Sequence, residues 1–533
     1  MANVLAFTSS VPNVLEDSQG RRVAFGSLLE ALEFLYEPFD GFKVTADLDT
    51  FIAPVLRLLE IDEAKELHST GTVKIAFNNP RGGMIVYKLR YFDGKFFQVK
   101  RLPEDYESVF YHLQQFSFSE LPQNLDTLKS FGEQVIAECT AMGFYPHNLN
   151  SAISILQPYL SHMDIPTYLD IKEDEVMQYA QHCGNRQWVE AHKLGYFPHV
   201  YDYDLSSAFS RIHASLLDFR RGTFTKTAGF DQTATYGYCN CHVHIFDHVT
   251  VSPIVYRDPS VKEVWENALT SPIGEWNGYH TKAEIDFIRQ YKLGEVTVYD
   301  GWYWHPDPKQ TQIQPMAPLV ARLMKHKQSG VPIRVALAKM MLVGMWGKTG
   351  QYNDKTRKVG KFFNPPWRAE FTSRTSLNVA KMIYRHKAMP NLVHVATDGI
   401  LVDKPIELTE LDISEGWKTN YEGDAIMVSS GLVYYSGKHP KSIYMDQVRD
   451  MVSDDLLSCR WKRIHKKIVT LGEAIQWNEI GQLGLEHDFD ITLDLSLLNH
   501  TRNFKKFPTT GRQLLSEQFV STPRKIRAGS LHD

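Results

Sequence analysis

The stretch Val200-Tyr-Asp-Tyr-Asp-Leu-Ser-Ser-Ala-Phe-Ser-Arg211 decides how the rest of the chain is read. Val200 to Tyr203 is β-branched and aromatic, which favours a strand. Asp204 stands where that strand runs out, followed by the small residues Ser206, Ser207 and Ala208. Phe209, Ile212, Leu216 and Leu217 then recur at helical spacing. A carboxylate at a strand end, facing small residues and a helix start, suits a divalent cation held by oxygen ligands. It also suits a phosphate that meets outward-pointing backbone N–H groups. Taken alone, the same stretch is equally an ordinary strand–turn–helix with an Asp N-cap.

Two later stretches shift that balance. Leu392-Val-His-Val-Ala-Thr-Asp-Gly-Ile-Leu-Val402 reads as two short apolar strands joined by Ala-Thr-Asp-Gly, a hairpin with Asp398 at its tip. Arg334 to Lys348 is helical, with Lys339, Val343 and Trp346 on one face at i, i+4 and i+7. Two carboxylates on strand ends, with a cation and an aromatic on one helix, suit phosphoryl transfer between nucleotides. In that chemistry two metals about 3.5–4 Å apart flank an in-line displacement. A lysine holds the triphosphate and an aromatic lies near the base.

In this order the three stretches resemble motifs A, B and C of the family B DNA polymerases, most of all the protein-primed branch of phages and linear plasmids. Motif A, Asp-x-x-Ser-Leu-Tyr-Pro, is matched by Asp204-Leu-Ser-Ser-Ala-Phe-Ser210. Motif B, Lys-x-x-x-Asn-Ser-x-Tyr-Gly, is matched by Lys339 through Trp346-Gly347. Motif C, Tyr-x-Asp-Thr-Asp-Ser, is matched by His394-Val-Ala-Thr-Asp-Gly399. The likeness covers about residues 180 to 440 well and the rest loosely.

The resemblance implies a multi-domain α/β (α+β) chain. It has a right-hand palm, fingers and thumb behind an N-terminal RNase H-like, exonuclease-type domain. The expected boundaries are 1–165 for that domain, 166–195 for a connector and 196–310 with 367–438 for the palm. The fingers fall at 311–366, and the thumb with a basic tail at 439–533. By the same resemblance, Asp204 and Asp398, helped by the carbonyl of Leu205, hold two Mg²⁺, with Mn²⁺ as the alternative ion. The N–H groups of Ser207 and Ala208, with Arg334 and Lys339, meet the triphosphate. Trp346 lies near the base, and Phe209 takes the place of the family's Tyr as a steric gate beneath the sugar. DNA contacts fall to Arg186, Lys348, Tyr434, Lys466, Lys467, Lys505 and Lys506. Arg186 follows a degenerate Tyr-x-Gly-Gly segment and is as well read as a loop arginine. The implied partners are template and primer DNA, deoxynucleotides and a terminal or other replication protein.

Three departures stand out. Ala396 replaces the first acid of motif C, Val343 and Gly344 replace Asn-Ser of motif B, and Ser210 replaces the motif A proline. The expectation is reduced rather than absent activity.

The exonuclease chemistry needs four carboxylates around two metals. Phe42 to Asp49 reads as a strand ending in Asp47 and Asp49, the place of the first pair. A further expected acid falls at His112, which does not suit an oxygen-rich Mg²⁺ site. The domain is therefore expected to be scaffold without proofreading. Helices are expected near 104–116 and 124–143, and two antiparallel ones at about 315–328 and 332–346. Gly344 and Gly347 are expected to let a base pair approach the second of these. Near 234–246 the residues Cys239, Cys241, His242 and His244 suggest zinc. Alternation puts the cysteines and histidines on opposite strand faces, which excludes convergence.

A chain of 533 residues has room for roughly three to four domains. Its net charge of −4 means that any DNA groove must come from local basic clusters. Two are visible: Arg460 to Lys467, and a tail with Arg502, Lys505, Lys506, Arg512, Arg524, Lys525 and Arg527, interleaved with Trp461, Phe504 and Phe507. Five scattered cysteines argue for a reducing compartment. No apolar run approaches about 18 residues. The chain is expected to be soluble, not exported, without membrane partners, and cytoplasmic (in the host cell, for a viral chain). Two competing readings belong to other classes: a catalytically weakened polymerase fold acting as a DNA-binding or replication scaffold, and an unrelated two-carboxylate hydrolase.

Overall fold

The computed structural model describes the whole chain except residues 1–2, 11–12, 80–81, 93, 114–115, 117–123, 185–186, 258–268, 354–357, 436–459, 495–500, 509–510 and 527–533. It divides into two units. One gathers Met1–Met163, Ala321–Met345 and Ile464–Asp490; the other gathers Asp164–Val320, Trp346–Arg463 and Ile491–Asp533.

The first unit is built on eight strands: β1 (Val4–Ser10), β2 (Val14–Asp17), β3 (Arg22–Ala24), β4 (Phe42–Thr45), β5 (Thr72–Asn78), β6 (Met84–Phe92), β7 (Phe96–Leu102) and β8 (Glu107–His112). They lie in the order β3-β2-β1-β4-β8-β7-β6-β5. β4 runs parallel to both β1 and β8, and the other neighbours are antiparallel. Parallel neighbours need crossovers. Helices Leu28–Tyr36, Leu48–Leu56 and Ile61–Thr70 supply them. A capping box, Ser27 with Glu30, starts the first of these helices. Leu32, Leu35, Phe51, Ile52 and Val55 from the helices close over Phe7, Phe97 and Phe110 from the sheet.

Two expectations fail in this unit. The strand expected over 42–49 stops at Thr45. Asp47 is instead the N-cap of helix Leu48–Leu56, and its carboxylate accepts from the N–H groups of Asp49 and Thr50. The pair therefore follows β4 and does not lie on it. The opening strand β1, VLAFTSS, carries no carboxylate. The helix expected near 104–116 is strand β8. Its Val109, Phe110 and Tyr111 are good strand formers, and pairing with β4 and β7 decides the outcome.

The second unit holds two large sheets. The main one has β9 (Val189–Ala191) and β10 (Lys193–Leu205), followed by strands Leu392–Ala396, Gly399–Val402, Trp417–Ser429 and Leu432–Tyr435. In space it runs 432–435, 417–429, β10, 399–402, 392–396, β9, and strand Gln518–Thr522 pairs with the start of β10. The other sheet carries Gly222–Ala228, Gly294–Pro306, Tyr236–Ile245, Ile273–Thr281 and Lys525–Ile526 in that order. Helix Pro365–Arg385, capped by Asn364, is buried along most of its length. Its Val379, Ala380, Met382 and Ile383 share one core with Tyr203, Leu205 and Ala208.

Mixed sheets and helices in both units make a multi-domain α/β chain. No described helix is long and apolar enough to cross a membrane. The strand reading of 236–245 holds. Cys239 and Cys241 point into the core, and among the described residues no three His, Cys, Asp or Glu side chains gather as metal ligands.

Candidate active site

β10 is the scaffold of the site. On one side Asp204 pairs with Gly399; on the other it pairs with Lys418. Beyond Asp204 the chain is pinned twice. Leu205 N–H donates to Asp398 O at 2.9 Å, and Ser206 N–H donates to Gly416 O at 2.9 Å. Strand alternation then sets the faces: Tyr203 and Leu205 enter the core, and Asp202 and Asp204 project from the opposite face. Asp204 and Asp398 are both half-buried.

The hairpin tip that carries Asp398 is tightly drawn. Thr397 takes a left-handed conformation (φ 52°), and its N–H donates to Trp188 O at 2.9 Å. Gly399 explains itself where the motif has Ser. A Cβ there would sit 2.9 Å from Tyr203 O, and it would stand 3.8 Å from Asp204 Oδ1. The two acidic positions are therefore neighbours across one ladder step. Ala396, on the other arm of the hairpin, is exposed and adds no third carboxylate. Asp204 ends a strand and Asp398 lies in the turn bonded to it through the main chain, and carboxylates are oxygen donors of the kind Mg²⁺ takes. The residues present fit that ion.

After Asp204 the chain turns through Ser207, which is left-handed (φ 57°), into helix Ala208–Ser215. Leu216 and Leu217 lie past the helix end, so the helical run is shorter than the spacing suggests. Phe209, in the first turn, is stacked. Its ring centroid lies 4.8 Å from Phe371 and 5.4 Å from Trp346, with interplanar angles of 12° and 18°. Trp346 and Phe371 also stack, at 5.5 Å. The Arg368 guanidinium lies 4.8 Å over the Trp346 ring. Three near-parallel rings in mutual contact make a firm wall beside the motif A turn.

Sequence reasoning found Phe209 and Trp346 and missed Phe371 and Arg368. The i, i+3 spacing of Arg368 and Phe371 on the helix that opens at Pro365 was the available signal. Trp188 and Glu190 were missed as well; they sit in a loop and a three-residue strand too short to show periodicity.

The remaining expected site residues fall variously. Lys339 is exposed on helix Pro332–Thr349, in the first unit's portion, and Trp346 is in the second unit's portion. Arg334 is committed to Glu138 at 2.6 Å. Gly344 has a packing reason: a Cβ there would lie 2.8 Å from Ile153 Cβ. The expectation that it opens room for a base pair is corrected for that position. Gly347 faces open space. Lys348 contacts Gln351 at 3.2 Å. Tyr434 sits half-buried on strand Leu432–Tyr435, paired with Ile426. Lys467 is paired with Glu473, and its ammonium lies 4.2 Å over Phe489.

In the tail, Lys505 and Lys506 are exposed, and Lys506 pairs with Glu517 at 2.9 Å. Phe504 and Phe507 pack on the core, and Arg502 is buried against Glu190, so these three are not available to a duplex. Arg186, Lys355, Arg357, Cys459 and Arg527 lie outside the described residues, as do the side chains of Lys466, Trp461 and Arg512.

No protein-family profile matches the chain, and no curated protein matches it by sequence. Solved structures do. Phi29 DNA polymerase in its ternary complex with primer-template DNA and incoming nucleotide superimposes with a TM-score of 0.59. That match covers 93% of this chain and 100% of the phi29 chain at 11% identity. The fold is that of phi29 DNA polymerase. An orthorhombic crystal form of the same enzyme gives 0.57 over 92% of this chain and all of its own, at 10% identity. The resemblance read from three short motifs thus extends, at the level of fold, across almost the whole chain. In that polymerase fold the motif A strand and the motif C hairpin of this chain are neighbours, as described above.

Proposed function

We propose that the protein is a template-directed DNA polymerase that adds deoxynucleotides to a primer 3′-hydroxyl in the replication of a phage or mobile element. One observation carries the reading: Asp204 and Asp398, 194 positions apart in the chain, are backbone neighbours, Asp204 pairing with Gly399 and Leu205 N–H donating to Asp398 O. Mg²⁺ held there would supply nucleophile activation and charge neutralisation for an in-line displacement. The chain's own part is positional. The pairings of β10 and the Leu205–Asp398 main-chain bond fix the backbone at both acids before substrate arrives, which reduces reorganisation in the reaction. The Phe209–Trp346–Phe371 stack supports a ring beneath the sugar, excluding a 2′-hydroxyl and selecting deoxynucleotides. Lys339 supplies a cation for the triphosphate. The exposed Lys505 offers charge to the DNA backbone.

In the exonuclease-type domain Asp47 and Asp49 already have partners. Asp47 caps a helix and accepts from Thr50 Oγ1 at 2.8 Å, and Asp49 accepts from Tyr91 OH at 2.6 Å. His112 Nδ1 is 3.0 Å from Gly94 O. This supports a scaffold role without proofreading.

The test is primer extension on a simple DNA template with Mg²⁺. Incorporation by the wild type that is lost in Asp398→Asn supports the proposal. No incorporation by the wild type, or equal incorporation by the variant, rejects it. A second reading, a polymerase fold retained as a DNA-binding scaffold, is favoured by the exposed Ala396 in place of an acid. It expects tight primer-template binding with no extension.

A further inference from the structure

The tip of the motif C hairpin hangs from Trp188 through the Thr397 N–H bond. Trp188 leads into β9, the edge strand whose residues pair with the hairpin: Val189 with Ala396, Glu190 with Val395, Ala191 with His394. Three residues form too short a ladder to fix their own register. Further contacts hold β9 and the residue after it, most of them from the C-terminal segment. Ala191 N–H donates to Ser430 Oγ at 3.0 Å, and Ser430 Oγ lies 3.2 Å from Thr501 Oγ1. His192 O accepts from both the amide and the hydroxyl of Ser521, at 3.0 and 2.8 Å. Glu190 is 1% exposed and meets Arg502, itself 4% exposed, at 3.4 Å.

Arg502 is the hub. Its Nε donates to Ser521 Oγ at 2.8 Å, its Nη2 to Thr250 O at 3.1 Å and its Nη1 to Glu190 Oε2 at 3.4 Å. The same Glu190 oxygen accepts from Trp188 Nε1 at 3.1 Å. A fixed path therefore runs from the Arg502 guanidinium through the Glu190 carboxylate and the Trp188 indole to the Trp188 carbonyl and the Thr397 amide, beside Asp398. Arginine suits the hub because its planar fork presents several donors at set angles. A charge pair taken fully out of water is weak evidence for stability and better suited to fixing one arrangement.

Resting on the polymerase reading of Asp204 and Asp398, we infer that Arg502, acting through Glu190 and Trp188, is a positioning residue that sets the Asp398 carboxylate for the divalent cation. It touches neither nucleotide nor DNA. Its effect is on cation affinity, as for partners that orient metal ligands from behind.

The test uses the full-length protein and Mn²⁺ as a spin probe, titrated without DNA or nucleotide. Wild type, Asp398→Asn, Arg502→Met, Glu190→Gln and Arg502→Lys are compared, with thermal unfolding measured for each. The expected result is Mn²⁺ binding in the wild type that Asp398→Asn removes. Arg502→Met and Glu190→Gln should each weaken it about tenfold or more, and Arg502→Lys should recover part of the loss. Should Arg502→Met not fold, Glu190→Gln, which keeps shape and size, carries the comparison. A lowered unfolding temperature with unchanged Mn²⁺ affinity in the folded variants would assign the pair to stability alone and overturn the inference. Absence of Asp398-dependent Mn²⁺ binding in the wild type would instead overturn the function proposed for the carboxylates, and this inference with it.

Discussion

The Leu205 amide donates to the Asp398 carbonyl at 2.9 Å, so the motif A strand and the motif C turn are joined by a main-chain bond at the residue after one acid and at the other acid itself. Side-chain substitution at either acid leaves that bond in place. The backbone frame of the site should therefore survive when its charge is removed.

Asp204→Asn and Asp398→Asn should each fold with unchanged unfolding temperature and lower primer extension by more than about a hundredfold. Affinity for primer-template DNA should hold, because phosphate contacts from Lys and Arg supply most of it. Single-turnover extension and filter binding on the same preparations check this. Loss of both activities together would mean that the acids maintain the fold.

Ala396 is exposed on the hairpin arm that faces Gly399. A carboxylate there meets water and no core, so Ala396→Asp should be tolerated. If the missing acid limits cation binding, the variant should reach half-maximal extension at about tenfold lower Mg²⁺. An Mg²⁺ titration of extension rate reads this directly. An unchanged or worse half-saturation would show that the two-acid site is complete as it stands.

Motif positions were legible in the sequence because strand-end acids, an Asp-Gly turn and a lysine-bearing helix each leave a local signature. What lies between them was less so. Asp47 reads as a strand-end acid, and only the three-dimensional turn after Thr45 makes it an N-cap. Arg502 reads as one charge in a basic tail. Its partner Glu190 is 312 positions away, and nothing local announces that the guanidinium is buried. Nothing local singles out Phe371, whose stacking on Phe209 depends on how two distant helices pack. Gly344 lacks a side chain because Ile153 occupies that space. Local chemistry was readable; pairings set by long-range packing were not.

Phe209 lies in contact with two rings and is only partly exposed. Phe209→Ala removes one member of the stack, which should cost about 1–3 kcal/mol of stability. It should also let ribonucleotides compete, raising ribonucleotide relative to deoxynucleotide incorporation about tenfold or more, a difference of roughly 1.4 kcal/mol in transition-state binding. Phe209→Tyr keeps the ring and should keep the selectivity. Paired measurements of kcat/KM for a deoxynucleotide and its ribo counterpart decide it.

Lys339 is exposed on its helix. Lys339→Ala should raise the deoxynucleotide KM about tenfold while leaving DNA affinity unchanged. A fall in DNA affinity instead would place this lysine on the template and not on the triphosphate.

Acid should destabilise the main sheet of the second unit. His394, in the strand that leads to the hairpin, is 4% exposed, and its Nε2 accepts the Gly431 N–H at 3.1 Å, a bond only the neutral ring can accept. Burial lowers its pKa from 6.5 to about 4, and burial does the same to His213 in the helix after Asp204. Unfolded, both rings titrate near 6.5. Between about pH 6.5 and 4 the unfolded chain binds protons that the folded chain does not, so stability is fully present above 6.5 and lost as pH falls toward 4. Each ring contributes on the order of 1–3 kcal/mol to that loss. Denaturant unfolding at pH 7.5, 6.0 and 5.0 should show a falling midpoint, and the fall should be smaller in His394→Gln, whose amide oxygen can still accept from Gly431. An equal fall in the variant would move the acid sensitivity to other groups.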